Sequence, residues 1–417
     1  MRNPIRGLMR RLGPGFITGS SDNDPSGIAT YTHVGAAFGF GMLWTAFATL
    51  PFMIAVQEMS ARIGMVAGDG ITMVLRNRYP KWLLWLFVSL ILIANTINIG
   101  ADLGAMADAA HLLLPHVSFT VLALFFTFLI LVLEIFITYK TYAIVLKWFA
   151  MSLLSYVATA FIVTTDWKDV LTHAVIPTIS FNHDFMLALV AVFGTTISPY
   201  LFIWQSHEEI EEEIAEGRTA RAMRKGATRK EIKTMRTDTV IGMTFSQFVT
   251  FFIITTAAMT FFRHGLRDIQ TAAEAAKALE PLAGRFAEFL FAIGIIGTGL
   301  LAVPVLSASA SYALSDACHW SEGLYKKFRE AHGFYGIITL STLIGLLINF
   351  IGINPIKALI WTAVLNGLVT PPLIAIMLLI ANNPKIMGKR VNSRLSNVFC
   401  GATLIGMTIA AILLFVL

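Results

Sequence analysis

Ten stretches of this chain, between 18 and 33 residues long, contain no Asp, Glu, Lys or Arg. They run 25–57, 82–101, 111–133, 148–165, 185–206, 239–262, 289–315, 333–356, 358–384 and 395–417. About 20 apolar residues carry a helix across a bilayer, so most of these runs have the length of a transmembrane helix. The first is long enough for parts of two helices, divided near Phe38-Gly39-Phe40-Gly41. The expectation is an all-α polytopic membrane protein with eleven spans. Composition agrees: 56% of the 417 residues are apolar and 13% charged, against roughly 45–50% and 25% in an average soluble domain. An ordinary soluble enzyme is excluded.

Charge sets the orientation. Arg2, Arg6, Arg10 and Arg11 precede span 1; Arg62, Arg76, Arg78 and Lys81 lie between spans 2 and 3; a basic segment at 218–236 separates spans 6 and 7; Lys385, Lys389, Arg390 and Arg394 separate spans 10 and 11. Cytoplasmic loops collect Lys and Arg, so the N-terminus is expected in the cytoplasm and the C-terminus outside, in the plasma (inner) membrane of a bacterium. The exception to this pattern is the 263–288 loop, which mixes both signs. The net charge of +6 is therefore read as topology. The 218–236 segment is read as an anchor near anionic lipid and not as a nucleic-acid patch. The basic N-terminus has the start of a signal peptide, but Gly13-Pro14-Gly15 interrupts its short apolar run, so it is expected to be retained. Cys318 and Cys400 form no disulfide framework, and no Cys/His cluster reads as a zinc site.

Two spans carry breaks. Span 1 contains Ser20-Ser21-Asp22-Asn23-Asp24-Pro25-Ser26-Gly27, and span 6 contains Gly194-Thr195-Thr196-Ile197-Ser198-Pro199-Tyr200. Proline removes a backbone donor and clashes with the preceding turn. In lipid such a break survives only where it lines a cavity or pathway. Pro25 and Pro199 lie five spans apart, each followed by four further spans, and such a matched pair points to a transport site at the midplane. The organisation expected is one transport domain over 1–417: repeat one at about 13–165, repeat two at about 184–382, and an added helix at about 395–417. Asp24 is the sharpest residue, since an aspartate at a helix centre costs about 2.5–3.5 kcal/mol. Spans 1 and 6 offer no Lys or Arg, so a cation is its natural partner. Asp22 joins the site only if the segment is unwound.

These residues resemble a known family. Gly13-Pro14-Gly15-Phe16 with Asp24-Pro25-Ser26-Gly27, the run Gln57-Glu58-Met59-Ser60-Ala61-Arg62-Ile63-Gly64, Arg78-Tyr79-Pro80 and the stretch 194–206 resemble helices 1, 2, 3 and 6 of the NRAMP family, the natural resistance-associated macrophage proteins. The resemblance implies a LeuT-type 5+5 inverted repeat with broken helices 1 and 6 plus an eleventh helix. It also implies divalent-metal transport, usually with protons, and no cofactor, the metal being the substrate. It assigns the carbonyls of Ser21 and Thr195 as ligands beside Asp24, and places Ser198 and Tyr200 at the helix 6 site. Where the family reads Asp-Pro-Gly-Asn, this chain has Gly27 in the asparagine position. Where the family reads Met-Pro-His, it has Ser198-Pro199-Tyr200, and Gln205 replaces a second histidine. The helix 3 stretch that carries acids in the family is Asn95-Thr96-Ile97-Asn98-Ile99, with no carboxylate before Asp102.

Thioether and imidazole suit softer metals, whereas hard ions take oxygen, and Mg2+ is held by one or two carboxylates with waters retained. Side chains trimmed at Gly27 and Ser198 leave more room for such an ion. The chain is accordingly most similar to the NRAMP-related magnesium transporters. The expectation is facilitated, proton-uncoupled Mg2+ uptake by alternating access, with Mn2+ as a second substrate. Proton-coupled Mn2+/Fe2+ transport and amino-acid transport on the same fold are the alternatives, though Asp24 repels a substrate carboxylate. An intramembrane enzyme lacks its motifs, since neither His-Glu-x-x-His nor Gly-x-Ser-x-Gly is present.

Several other residues have two readings. Asn95, Asn98 and Asp102 share one face of helix 3, as interhelical bonds or as a hydrated wall of the ion path. Asn366 and Thr370, beside Pro371-Pro372, match the polar helix 10 position of the family. Glu208, Glu209, Glu211, Glu212, Glu213 and Glu216 form either a solvated helix end or an acidic vestibule. Glu58 and Arg62 are spaced as an i,i+4 pair. Asp108 and Glu134 sit near span ends and take no role, and no two histidines have metal-ligand spacing.

Overall fold

The computed structural model describes residues 13–137, 139–163, 166–267 and 285–417, and every regular element among them is helical. The N-terminal segment read as a retained leader and most of the mixed-charge loop lie outside the described residues. Both prolines begin helices. Span 1 is α1 (Pro14–Ser21) and α2 (Pro25–Phe38). Then follow α3 (Trp44–Ala67), α4 (Ile71–Arg78), α5 (Lys81–Leu113), α6 (Phe119–Phe136), α7 (Tyr139–Ala150), α8 (Leu154–Val163) and α9 (Trp167–Val175). Span 6 is α10 (His183–Thr196) and α11 (Pro199–Ala215). The remaining long helices are α12 (Arg229–Thr260), α13 (Arg285–Cys318), α14 (His332–Ile348), α15 (Pro355–Ala381) and α16 (Arg394–Val416).

Among the described residues, eight helical runs are by themselves long and apolar enough to cross a bilayer. The segments Pro25–Met42 and Trp44–Ala67 qualify together, bent by 104°, and α14 is apolar but shorter. With α1–α2 as span 1, α3 as span 2 and α14 as span 9, these helices occupy the eleven segments expected. Exposed Val121, Leu124, Phe125 and Phe128 on α6, and Val398, Ile405, Ile409 and Ile412 on α16, face outward as lipid-facing residues do.

The two broken spans change partners at their breaks. Phe16 and Ile17 of α1 belong to one apolar cluster with residues of α3, α5, α11 and α13, whereas Ile28, Tyr31 and Val34 of α2 belong to a second. Span 6 does the same in reverse: Phe185, Met186 and Val192 of α10 join the second cluster, while Tyr200, Phe202 and Trp204 of α11 join the first. Close backbone approach holds these half-helices in place. A Cβ on Gly19 would lie 2.2 Å from the Gly242 carbonyl, so α1 lies directly on α12; one on Gly194 would lie 2.0 Å from the Ala363 carbonyl of α15. Asp238 of α12 reinforces the first contact, accepting from the Gly13 and Gly15 amides at 2.8 and 2.6 Å. It supplies in trans the carboxylate that the start of α1 lacks locally.

The Glu58–Arg62 pair forms at 3.0 Å, but it is wider than the sequence spacing indicated. Arg236 of α12 donates to the same Glu58 oxygen at 2.7 Å, and Arg62 also reaches the Arg390 carbonyl at 2.6 Å and the Asn392 side chain. Glu58 and Arg62 are both buried. Removing one partner of a buried pair costs about 3–5 kcal/mol. Because exposed Arg236 still reaches Glu58, Arg62→Ala should cost about 3 kcal/mol, the low end of that range. The loss should appear as a lower unfolding midpoint in detergent.

Candidate functional site

At the span 1 break the chain leaves helix at Asp22 and re-enters at Pro25, with Asp24 as the N-cap of α2. Asp24 Oδ1 accepts from the Gly27 amide at 2.6 Å and from Ser26 Oγ at 2.7 Å. One carboxylate oxygen therefore replaces bonds that the break removes. At the span 6 break Ser198 is the N-cap residue of α11, and its hydroxyl turns back, donating to the carbonyls of Thr195 at 2.6 Å and Gly194 at 3.1 Å. Tyr200 joins the two breaks: its hydroxyl donates to the Ser21 carbonyl at 2.8 Å and lies 3.4 Å from Asp24 Oδ2. Ser309 of α13 donates to the Tyr200 carbonyl at 2.9 Å, and Thr370 of α15 to the Ile197 carbonyl at 3.1 Å.

The six residues expected at the ion position all lie at the two paired breaks. Asp22, Asp24, Ser21, Thr195, Ser198 and Tyr200 are all buried. Asp22 leans to the other side of the break, where Ser246 of α12 donates to its Oδ2 at 2.8 Å; its Oδ1 has no protein partner. Asn23 turns away, bonding Ser246 and Thr250. The carbonyls of Ser21 and Thr195 each accept a side-chain hydroxyl in this arrangement, so an ion would share them with Tyr200 and Ser198.

One expectation is corrected here. Gly27 leaves no additional room: a Cβ there would stand 2.9 Å from Thr195 Oγ1 and 3.2 Å from the Asp22 carbonyl. The absence of a side chain is used to bring the two breaks together. Beyond the break, a cavity of about 20 Å³ lined by Pro25, Ile28, Ala29, Thr32 and Phe291 has room for roughly one water. The break is occluded.

On the expected pathway wall, Asn98 Nδ2 donates to Asn366 Oδ1 at 3.2 Å, and Asn95 Nδ2 to the Leu306 carbonyl at 2.9 Å. The interhelical bonds are present, and the oxygens Asn95 Oδ1 and Asn98 Oδ1 are left without protein donors. Asp102, the third residue of that face, stands closest to the paired breaks, beside the Ser26 backbone. It is fully buried, neither oxygen has a protein partner, and it interacts electrostatically with Asp24. Its i+7 spacing from Asn95 already sets it on that face in the sequence. Gln205 bonds along its own helix to Glu209 at 2.8 Å, and its Oε1 has no protein partner.

The solvated reading of the glutamate run fails for four of its members. Glu208, Glu209, Glu211 and Glu213 are buried, and only Glu212 and Glu216 are exposed. Tyr312 and the Leu324 amide hold Glu211, and Arg218 holds Glu213. Glu134 is buried as well, accepting from Ser307 at 2.5 Å, because α13 packs over it.

The profile of the family described as natural resistance-associated macrophage protein-like matches residues 15–417. The chain belongs to the Nramp family. Among curated relatives, a "Divalent metal cation transporter MntH" of Caldanaerobacter subterraneus is 26% identical over 403 residues, covering 94% of this chain and 90% of that protein. One of Klebsiella pneumoniae is 26% identical over 394 residues, covering 92% and 88%. Among solved structures, the Eremococcus coleocola manganese transporter has TM-score 0.79 at 16% identity, covering 100% of this chain and 87% of that one. MhsT in complex with L-phenylalanine has TM-score 0.62 at 14% identity, covering 96% and 97%. Both likenesses speak to the fold: this is the broken-helix, LeuT-type architecture in an integral membrane protein of the Nramp family.

The Gly27 contact is directly testable. Gly27→Ala forces a methyl against Thr195 Oγ1, so it should destabilise by about 1–3 kcal/mol, as overpacking does. Adding Thr195→Ala should restore part of that loss. Thermal unfolding of the two variants in detergent reads the difference, and an unchanged midpoint for Gly27→Ala would remove the contact.

Proposed function

We propose that this protein carries divalent metal cations across the plasma (inner) membrane of a bacterium by alternating access, with Mg2+ as its main substrate, Mn2+ as a second, and no obligatory proton. The topology assumed is N-terminus in and C-terminus out. Two inverted repeats, at about 13–165 and 184–382, would contribute one broken helix each, and the helix at about 395–417 would lie outside them. Divalent-cation transport is supported by the family and by the names of the MntH relatives.

The observation that carries Mg2+ is the donor set. Around the paired breaks the side chains are Asp22, Asp24, Ser26, Thr195, Ser198 and Tyr200, all oxygen, with no sulfur or imidazole among them. Hard cations take such ligands and softer metals gain nothing from them. Asn98, Asn366, Thr370, Gln205 and Gly27 would line the route to and from that position, with Asn95 beside them. The unpartnered oxygens on Asn95, Asn98 and Gln205 suit a passing hydrated ion.

A second reading rests on Asp102. A buried carboxylate beside Asp24 with no protein partner is placed as a proton carrier would be. In this alternative Mn2+ or Fe2+ enters together with a proton; the manganese transporter among the solved neighbours and the names of the MntH relatives favour its cation.

Flux into proteoliposomes with a pH dye inside separates the two. The main reading expects Mg2+ entry without acidification of the lumen, abolished by Asp24→Ala and retained by Asp102→Asn. Acidification that tracks Mn2+ entry and disappears in Asp102→Asn would replace it with the second. Ser198→Met should raise Cd2+ flux relative to Mg2+ by supplying a soft ligand; a constant ratio would place Ser198 off the ion route.

A further inference from the structure

A separate group of ligating side chains lies at the end of the bundle that carries the 218–236 segment. His207 of α11, Asp316 near the end of α13 and Glu322 in the loop that follows offer three ligand atoms within 4.8 Å of one another. None of them belongs to the paired breaks, and they come together across 109 residues of sequence.

The hydrogen bonds fix how the histidine is presented. Its Nδ1 donates to the Ile203 carbonyl at 2.9 Å, so in the neutral ring the proton sits on Nδ1 and Nε2 keeps its lone pair. That is the outer-shell arrangement which orients a metal-ligating histidine. Nε2 then faces acceptors only, Asp316 Oδ2 at 3.1 Å and Glu322 Oε1 at 3.9 Å. The imidazole is also clamped by Tyr312, stacked at 4.1 Å between centroids, and by Gly70, where a Cβ would stand 2.1 Å from the ring.

The carboxylates are under-compensated. Asp316 is fully buried; its Oδ2 accepts from the Met73 amide at 3.0 Å, but Oδ1 has no protein partner, and neither has Glu322 Oε2. The Asp316 and Glu322 carboxyl groups interact directly. Arg76 donates to the Asp316 backbone carbonyl, and Lys326, whose charge reaches Glu322, donates to Ser321. An imidazolium paired with Asp316 would satisfy one contact and leave both of those oxygens without donors. A dication satisfies all three groups.

We propose that His207, Asp316 and Glu322 form a second divalent-cation site, separate from the paired breaks, that ties the half-helix α11 to the end of α13. One imidazole with two carboxylates favours Zn2+ most, and Mn2+ less strongly, over Mg2+. A metal bound there holds α11 against α13, so it opposes any motion that separates them.

Mn2+ titration of the purified full chain, read by the loss of the free-ion electron paramagnetic resonance signal, tests this. The wild type should bind two Mn2+, with one displaced by Zn2+ but not by a large excess of Mg2+. His207→Ala and Asp24→Ala should each bind one, of opposite sensitivity to Mg2+, and the double variant none. Glu322→Gln lies in the loop and disturbs no helix; it should weaken the Zn2+-sensitive site by at least the roughly tenfold that even an outer-shell loss costs. If His207→Ala and Glu322→Gln bind as the wild type does, or if no Mn2+ binds in Asp24→Ala, the second site does not exist. The Asp24→Ala arm keeps that outcome separate from failure of the transport reading.

Discussion

Inside a bilayer a helix can stop only where something replaces the hydrogen bonds it drops, and here the replacement is the Asp24 carboxylate on the Gly27 amide and the Ser26 hydroxyl. Everything around the site follows from that. The capped turn lets α2 begin at Pro25, leaves Asp24 Oδ2 toward Tyr200, and frees the Ser21 carbonyl to meet the Tyr200 hydroxyl. Span 6 solves the same problem with less charge. Ser198 folds back on its own chain, and Thr370 reaches over from α15 to the Ile197 carbonyl. The asymmetry between a carboxylate break and a hydroxyl break puts negative charge on one side of the site alone. A cation fits that pattern and an anionic substrate does not.

Backbone contact and charge work together elsewhere. Glycines bring α1 onto α12 and α10 onto α15 with no side chain between them. Such contacts are not adjustable by rotamer changes, so the half-helices are positioned by backbone rather than by side-chain packing. On the basic end of the bundle, Glu58, Arg62 and Arg236 fasten α3 to α12, and Arg62 adds the connection before α16.

The parts legible in the sequence were those that local chemistry decides. Uncharged runs located the spans, and Pro25 and Pro199 marked the breaks to the residue, because a missing amide has the same consequence in any fold. The i,i+4 spacing located the Glu58–Arg62 pair. What remained hidden depended on distant partners. Nothing near Gly13 announces that Asp238 will cap it, since the two are 225 residues apart. Glu208 and Glu211 read as solvated because a charge run usually is; Tyr312 and the loop at Leu324 bury Glu211 instead. Gly27 hides its role for the same reason: a missing side chain suggests space, whereas Thr195 from the other break closes over it.

The bond between Asp238 and the amides of Gly13 and Gly15 has a mechanical consequence. A short half-helix joined to its span by an unwound hinge would be free to swing alone. Here its far end is pinned by a carboxylate and its flank rests on Gly242. If α1 tilts, either α12 must move with it or the two charge-assisted bonds must break first, so residues 22–24 would serve as the elbow of a two-part lever whose longer arm is α12.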